Sequence, residues 1–177
     1  MIKIKLIPLC FILFAGIING QSSSFDQLKF LSGKWTGNGE GFGNNKSVIN
    51  SSFEFIMGGT YLEIKNESQF EPTKNNPKGE HHIDKGFISF DTSRKVLVFR
   101  QFNIEGYINQ YVLNTQKSND STLVFETETI ENFIPGGKAR WTIKKISEDQ
   151  IETIFDVFFP NKGYSCFGTN YLKKVTQ

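Results

Sequence analysis

The residues best equipped for chemistry cluster between Lys95 and Leu113, in KVLVFRQFNIEGYINQYVL. Arg100, Gln101, Asn103, Asn109 and Gln110 stand there among aromatic and β-branched neighbours. In an extended chain Val96, Val98, Arg100 and Phe102 share one face, and Leu97, Phe99, Gln101 and Asn103 the other. A charge on an otherwise apolar face must find a partner. Arg100 is therefore expected to point inward, either to orient a polar or anionic ligand end or to form an internal ion pair with a glutamate. After Glu105-Gly106 the alternation resumes through Tyr107, Asn109 and Tyr111. Period-two patterning across a short Gly-containing turn is a β-hairpin signal.

A second group opens the first strand: Gly33-Lys34-Trp35-Thr36-Gly37-Asn38-Gly39. Gly33, Trp35, Gly37 and Gly39 fall on one face. That face is either a flat, backbone-lined wall for a planar ligand or a bend closed by a Trp plug. The candidate ligand-binding residues are thus Trp35, Gly37, Gly39, Arg100, Phe102, Asn109 and Tyr111.

Other chemistry-bearing residues form no such set. His81 and His82 are the only imidazoles, and adjacent strand residues face opposite ways, so at most one can face a pocket. A zinc site needs three or four convergent ligands, so no metal site is expected and both histidines are assigned to a solvated loop edge. Glu126, Glu128, Glu131 and Asp156 read as exposed acids on strand faces. No nucleophile elbow, Ser/His/Asp spacing or phosphate loop occurs, so the reading leans away from an enzyme.

The elements that must position these residues are strands. Ser24 or Asp26 can cap a short helix whose apolar edge is Phe25, Leu28 and Leu31. Beyond it, 34–42, 47–57, 60–70, 83–91, 95–103, 107–115, 122–130, 138–146, 150–158 and 164–175 each alternate or run apolar. Turn residues divide them, as at Gly58-Gly59, Glu105-Gly106, Pro135-Gly136-Gly137 and Pro160-Asn161-Lys162-Gly163. The expected fold is all-β, a single antiparallel up-and-down barrel of about ten strands with a short N-terminal helix plugging one end. A closed barrel that wide leaves a cavity unless large side chains fill it, and the chain has 18 Phe. Glu71 to His82, with Pro72 and Pro77, reads as one long exposed loop.

Residues 1–20 have the pattern of a secretory signal peptide. Lys3 and Lys5 precede an apolar run from Leu6 to Ile18, with Gly20 at the cleavage point. The domain is then 21–177, and its site of action secreted or periplasmic. Loss of Lys3 and Lys5 brings the 20 Lys+Arg level with the 18 Asp+Glu, and a neutral chain lacks the basic excess that nucleic acid requires. No membrane-spanning helix is expected, and the oligomeric state is left open. Cys166 is the lone cysteine beyond the leader and is expected to be buried and inert.

A short helix, then G-x-W-x-G-x-G, then a meander of about ten strands resembles the nitrobindin-type haem-binding β-barrels. These are calycin barrels, grouped with lipocalins and fatty-acid-binding proteins, and Glu105–Tyr111 with Glu128–Asn132 is similar to an uncharacterised bacterial branch of them. The resemblance implies a calycin barrel with a small molecule in its interior. In nitrobindins that molecule is haem, held by a histidine near the C-terminus; here Tyr164 to Gln177 contains none. The cofactor is therefore left unknown, with haem disfavoured. The expected function is binding of a mostly apolar small molecule with a polar or anionic end. The alternatives are haem binding and a filled barrel serving as an interaction module.

Overall fold

The computed structural model describes residues 24–41, 45–74 and 76–176; the expected leader, 1–20, lies outside the described residues. Alternating sequence becomes alternating burial. In β2 (Lys46–Ile56), Ser47, Ile49, Ser51 and Phe53 are buried while Lys46, Val48 and Asn50 are exposed. The strands are β1 (Gly33–Gly41), β2, β3 (Tyr61–Phe70), β4 (Glu80–Asp91), β5 (Val96–Asn103), β6 (Ile108–Leu113), β7 (Thr122–Glu131), β8 (Lys138–Lys145), β9 (Gln150–Phe159) and β10 (Gly163–Lys174). Every sequential pair is antiparallel, and β1 pairs with β10 to close the barrel.

The N-terminal segment is a 3₁₀ turn, Asp26–Leu31, not an α-helix, and no side chain caps its start. Tertiary burial holds it instead. Phe25, Leu28 and Leu31 are all buried, and Phe25 meets Phe55 edge-on at 6.0 Å. Trp35 closes this end from the first strand: it is 1 % exposed, and its indole N–H donates to the Leu31 carbonyl at 2.7 Å. Above it lie Phe53, Leu62, Ile88, Leu97, Ile143, Ile151 and Leu172, all buried. An aromatic layer caps this core, with Phe99 stacked on Tyr111 at 5.4 Å and tilted against Trp141 at 5.0 Å.

Gly37 marks the seam. A Cβ there would stand 1.9 Å from the Tyr171 carbonyl oxygen of β10, so only glycine lets β1 and β10 approach as they do. Two irregularities re-aim side chains near the open end. The β9–β10 register shifts between Cys166 and Gly168, leaving Phe167 as the extra residue. The β6–β7 register shifts at Gln110/Tyr111, leaving Glu128 extra, and Glu128 pairs with Arg94 outside. Bulges at barrel rims commonly redirect a side chain.

Three expectations are corrected. β4 starts at Glu80, so the loop is 71–79 and both histidines belong to a strand. Cys166 is exposed, because β10 is bulged where it sits. Arg100 faces outward, as described below. Among the described residues no helix is long and apolar enough to cross a membrane, which says nothing of strands.

Trp35→Ala deletes a buried aromatic and orphans the Leu31 carbonyl, so it should cost about 3–5 kcal/mol. Chemical denaturation measures it. A midpoint equal to wild type would show that this end is not closed by Trp35.

Candidate functional site

Opposite the Trp35 end the barrel is open, and a cavity of about 570 Å³ fills its upper half. The strands divide its lining into two chemistries. β2 to β6 contribute Ser47, Asn66, Ser68, Glu80, His82, Asp84, Gln101, Asn103 and Asn109, with Phe70 as the apolar exception. β7 to β10, with the loop after β7, contribute Ile130, Phe133, Ala139, Trp141, Phe155, Val157, Phe159 and Phe167. Tyr107, Phe133, Phe159 and Phe167 run round the mouth as a chain of rings with centroids 5.6, 6.0 and 5.7 Å apart. Thr153 and Asn170 are the polar exceptions on the aromatic side, with the Asn170 amide donating to Thr153 Oγ1 at 3.1 Å.

The polar wall is partly self-satisfied. The Tyr111 hydroxyl donates to Gln101 Oε1 at 3.0 Å and accepts from Asn109 Nδ2 at 3.1 Å. Burial pushes the Tyr111 hydroxyl well above its usual pKa, so it stays a neutral donor. That triangle fixes Gln101 and Asn109 beneath the cavity. Ser47, Asn66 and Ser68 are different: among the described residues no hydrogen bond engages their side chains. Ser47 is only 6 % exposed, so its hydroxyl has the cavity alone to turn to. Among the described residues no fully buried side-chain oxygen or nitrogen lacks a partner, so these three groups open onto the cavity and are available to whatever enters it.

His82 holds the mouth. Its Nε2 meets Asp84 Oδ1 at 3.0 Å and its Nδ1 meets Glu105 Oε1 at 2.6 Å. The hydrogen bond to Asp84, with the charge of both carboxylates, raises its pKa from 6.5 to about 9 against the opposing effect of burial. The imidazolium thereby ties the Glu105 turn to β4. His81, its neighbour, points outside towards Glu67 at 3.8 Å. One histidine in and one out is the period-two rule at work.

The candidate residues fall into two sets. Asn109 lines the cavity and Tyr111 lies directly beneath it. Trp35 is the plug at the far end. Gly37 faces the β10 backbone, and an added Cβ at Gly39 would meet Asn170 Oδ1 at 2.5 Å and Ser47 Oγ at 2.7 Å. The glycine face therefore makes room for protein atoms, not for a planar ligand. Arg100 and Phe102 sit on the outer surface, where Arg100 donates to Ser89 Oγ at 3.2 Å and Phe102 is 46 % exposed. Their alternation is as expected, but the cavity lies on the other face. Gln101 and Asn103 point inward, where protein groups meet them: Gln101 Oε1 accepts from Asn109 and Tyr111, and the Asn103 amide donates to the Tyr107 carbonyl. The acids Glu126, Glu128 and Asp156 pair outside with Lys117, Arg94 and Arg140.

Haem, the cofactor that the resemblance implies, requires an axial ligand. β10 carries no histidine, and both nitrogens of His82 are occupied by carboxylates. These residues do not fit haem. His82 with Glu80 and Glu105 brings three ligand-type atoms within 4.8 Å of one another. No spacing in the chain signals this group, because it exists only once β4 extends to Glu80.

The architecture is shared with solved proteins. Rv2717c from M. tuberculosis superposes with a TM-score of 0.63 at 14 % identity, over 86 % of this chain and 98 % of that one. More distant are two others. EF1p2_mFAP2b bound to DFHBI has a TM-score of 0.46 at 11 % identity, over 86 % of this chain and 99 % of that one. A de novo fluorescence-activating β-barrel has a TM-score of 0.45 at 12 % identity, over 85 % and 98 %. At these identities the likeness establishes the fold alone. No protein-family model and no curated protein sequence matches the chain.

The His82 ion pairs should make stability depend on pH. The folded pKa, about 9, lies above the unfolded value of 6.5, so the contribution is complete below that lower value and is lost as pH rises through the upper one. The His82 side chain is 24 % exposed, and solvent reduces the contribution to about 1–2 kcal/mol. Thermal melts of wild type and His82→Gln across this range measure it. Parallel curves would show that His82 is not clamped.

Proposed function

We propose that this chain is a small-molecule binding barrel of calycin type that takes one mostly apolar ligand into its open half. The observation that carries this reading is the division of the cavity wall: rings on β7–β10 face amides and hydroxyls on β2–β6. Sites that bind small molecules are concave and mostly apolar, with a few placed polar groups that fix orientation. The apolar body of the ligand would lie against Trp141, Phe155 and Phe159, and its polar end would complete Ser47, Asn66 and Ser68. Arg100 has no part in this, so nothing on the outer face selects an anionic end. The leader pattern in residues 1–20 supports action outside the cytoplasm. A barrel filled throughout, serving only as an interaction module, has less support, since side chains fill the Trp35 end and leave the mouth open.

Nile red fluorescence titration tests the reading, because the dye is neutral and emits in apolar surroundings. One site per chain with micromolar affinity is the expected result. Ser68→Phe fills the cavity and should weaken binding at least about tenfold, equivalent to 1.4 kcal/mol. Arg100→Met, outside the barrel, should stay within about twofold of wild type, inside the usual range for surface changes. Equal binding by wild type and Ser68→Phe would sink the proposal.

A separate measurement concerns haem. Reconstitution with ferric haem should give no stoichiometric Soret band. A band abolished by His82→Ala would reverse the judgement that these residues do not fit it.

A further inference from the structure

We infer that the ligand of this cavity is an amphipathic organic cation, an apolar body carrying an ammonium or similar nitrogen cation. This deepens the reading above and rests on it.

Three carboxylates line the cavity on its polar wall, from Glu80, Asp84 and Glu105, against the one imidazole of His82; Glu40, on the outward face of β1, is not among them. No lysine or arginine lines it. Asp84 and Glu105 hold His82 between them. Glu80 is the informative group. It shares the inward face of β4 with His82 and Asp84, yet among the described residues no ion pair or hydrogen bond engages its carboxylate. Even with His82 charged, the polar wall keeps an acidic excess. Clefts lined by one sign of charge raise the local concentration of the opposite ion.

The opposite wall suits the same guest. Aromatic faces attract cations as well as apolar bodies, and Trp141, Phe155, Phe159 and Phe167 all line the cavity. An anion would meet the carboxylates with only His82, already held between two of them, to offset them. A divalent metal would have to break the His82–Glu105 contact at 2.6 Å, since a ligating nitrogen cannot keep its proton. An ammonium breaks nothing, because it adds to the free Glu80 carboxylate and donates to the open Ser68 and Asn66 side chains. The Ser47 hydroxyl below them, on a residue only 6 % exposed and with no protein partner, also opens onto this cavity.

Three dyes test the inference on the full-length mature chain at low salt: thioflavin T (cationic), 1-anilinonaphthalene-8-sulfonate (anionic) and Nile red (neutral). Thioflavin T should bind at least about tenfold tighter than the sulfonate, and the gap should shrink with added salt. Glu80→Gln keeps the shape and removes the charge, so it should lower the ratio of thioflavin T to Nile red affinity about fivefold, as expected for one partly solvated charge. Equal or tighter binding of the sulfonate while Nile red binds would overturn the cation inference and leave the binding barrel standing. So would an unchanged ratio in Glu80→Gln. Failure of all three dyes to bind would overturn the barrel reading, and this inference with it.

Discussion

The pairing of β1 with β10 is the constraint from which the rest follows. It turns an open ten-stranded sheet into a closed wall, removes both edges, and fixes how much interior the side chains must fill. That interior is too wide to fill along its whole length. At one end Trp35 plugs the interior from β1, bonded to the Leu31 carbonyl, with Gly37 on the same strand allowing the β1 and β10 backbones to meet. At the other end polar side chains on one part of the wall face aromatic rings on the other across a space that no side chain fills. Each strand therefore does two jobs along its length: packing near the 3₁₀ turn and lining a cavity near the mouth.

Polar atoms in such a space must be satisfied. The Tyr111–Gln101–Asn109 triangle shows how: a neutral hydroxyl and two amides close on one another just above the aromatic layer. Higher up, His82 is satisfied by two carboxylates, one on its own strand and one on the β5–β6 turn. Gly106, with φ +90°, gives that turn the left-handed residue it needs, and so places Glu105 within reach. A local turn signal and a pair of ions thus shape the mouth together.

Much of the fold was legible in the residues. Period-two patterning and turn chemistry locate ten strands to within a few residues, because strands that face a core on one side must alternate. Two things were not legible. The inner face of β5 is chosen by closure, a long-range event, and the usual guide failed there: Val96, Val98, Arg100 and Phe102 look more apolar than Leu97, Phe99, Gln101 and Asn103 once the amides are counted against the latter. A core that stops halfway inverts that guide. The start of β4 was equally hidden. Glu80-His81-His82 carries no strand propensity, and its pairing with Phe70, Gln69 and Ser68 of β3 is what draws it into the sheet. The histidine that shapes the mouth was consequently assigned to solvent. Asn109 stands out as a polar residue in an apolar hairpin and Tyr111 shares its face, whereas Phe133, Phe159 and Phe167 give no signal beyond an abundance of phenylalanine.

The separation of packing from lining along each strand has a consequence for how such a barrel can change over time. Residues near Trp35 set whether the chain folds; residues near the mouth set the shape and polarity of the cavity. A substitution at Asn66, Ser68 or Phe155 alters that lining while leaving the Trp35 end untouched, so the lining can drift with little threat to foldability. This chain superposes on Rv2717c at only 14 % identity, and at that distance a shared shape speaks for the strand framework alone.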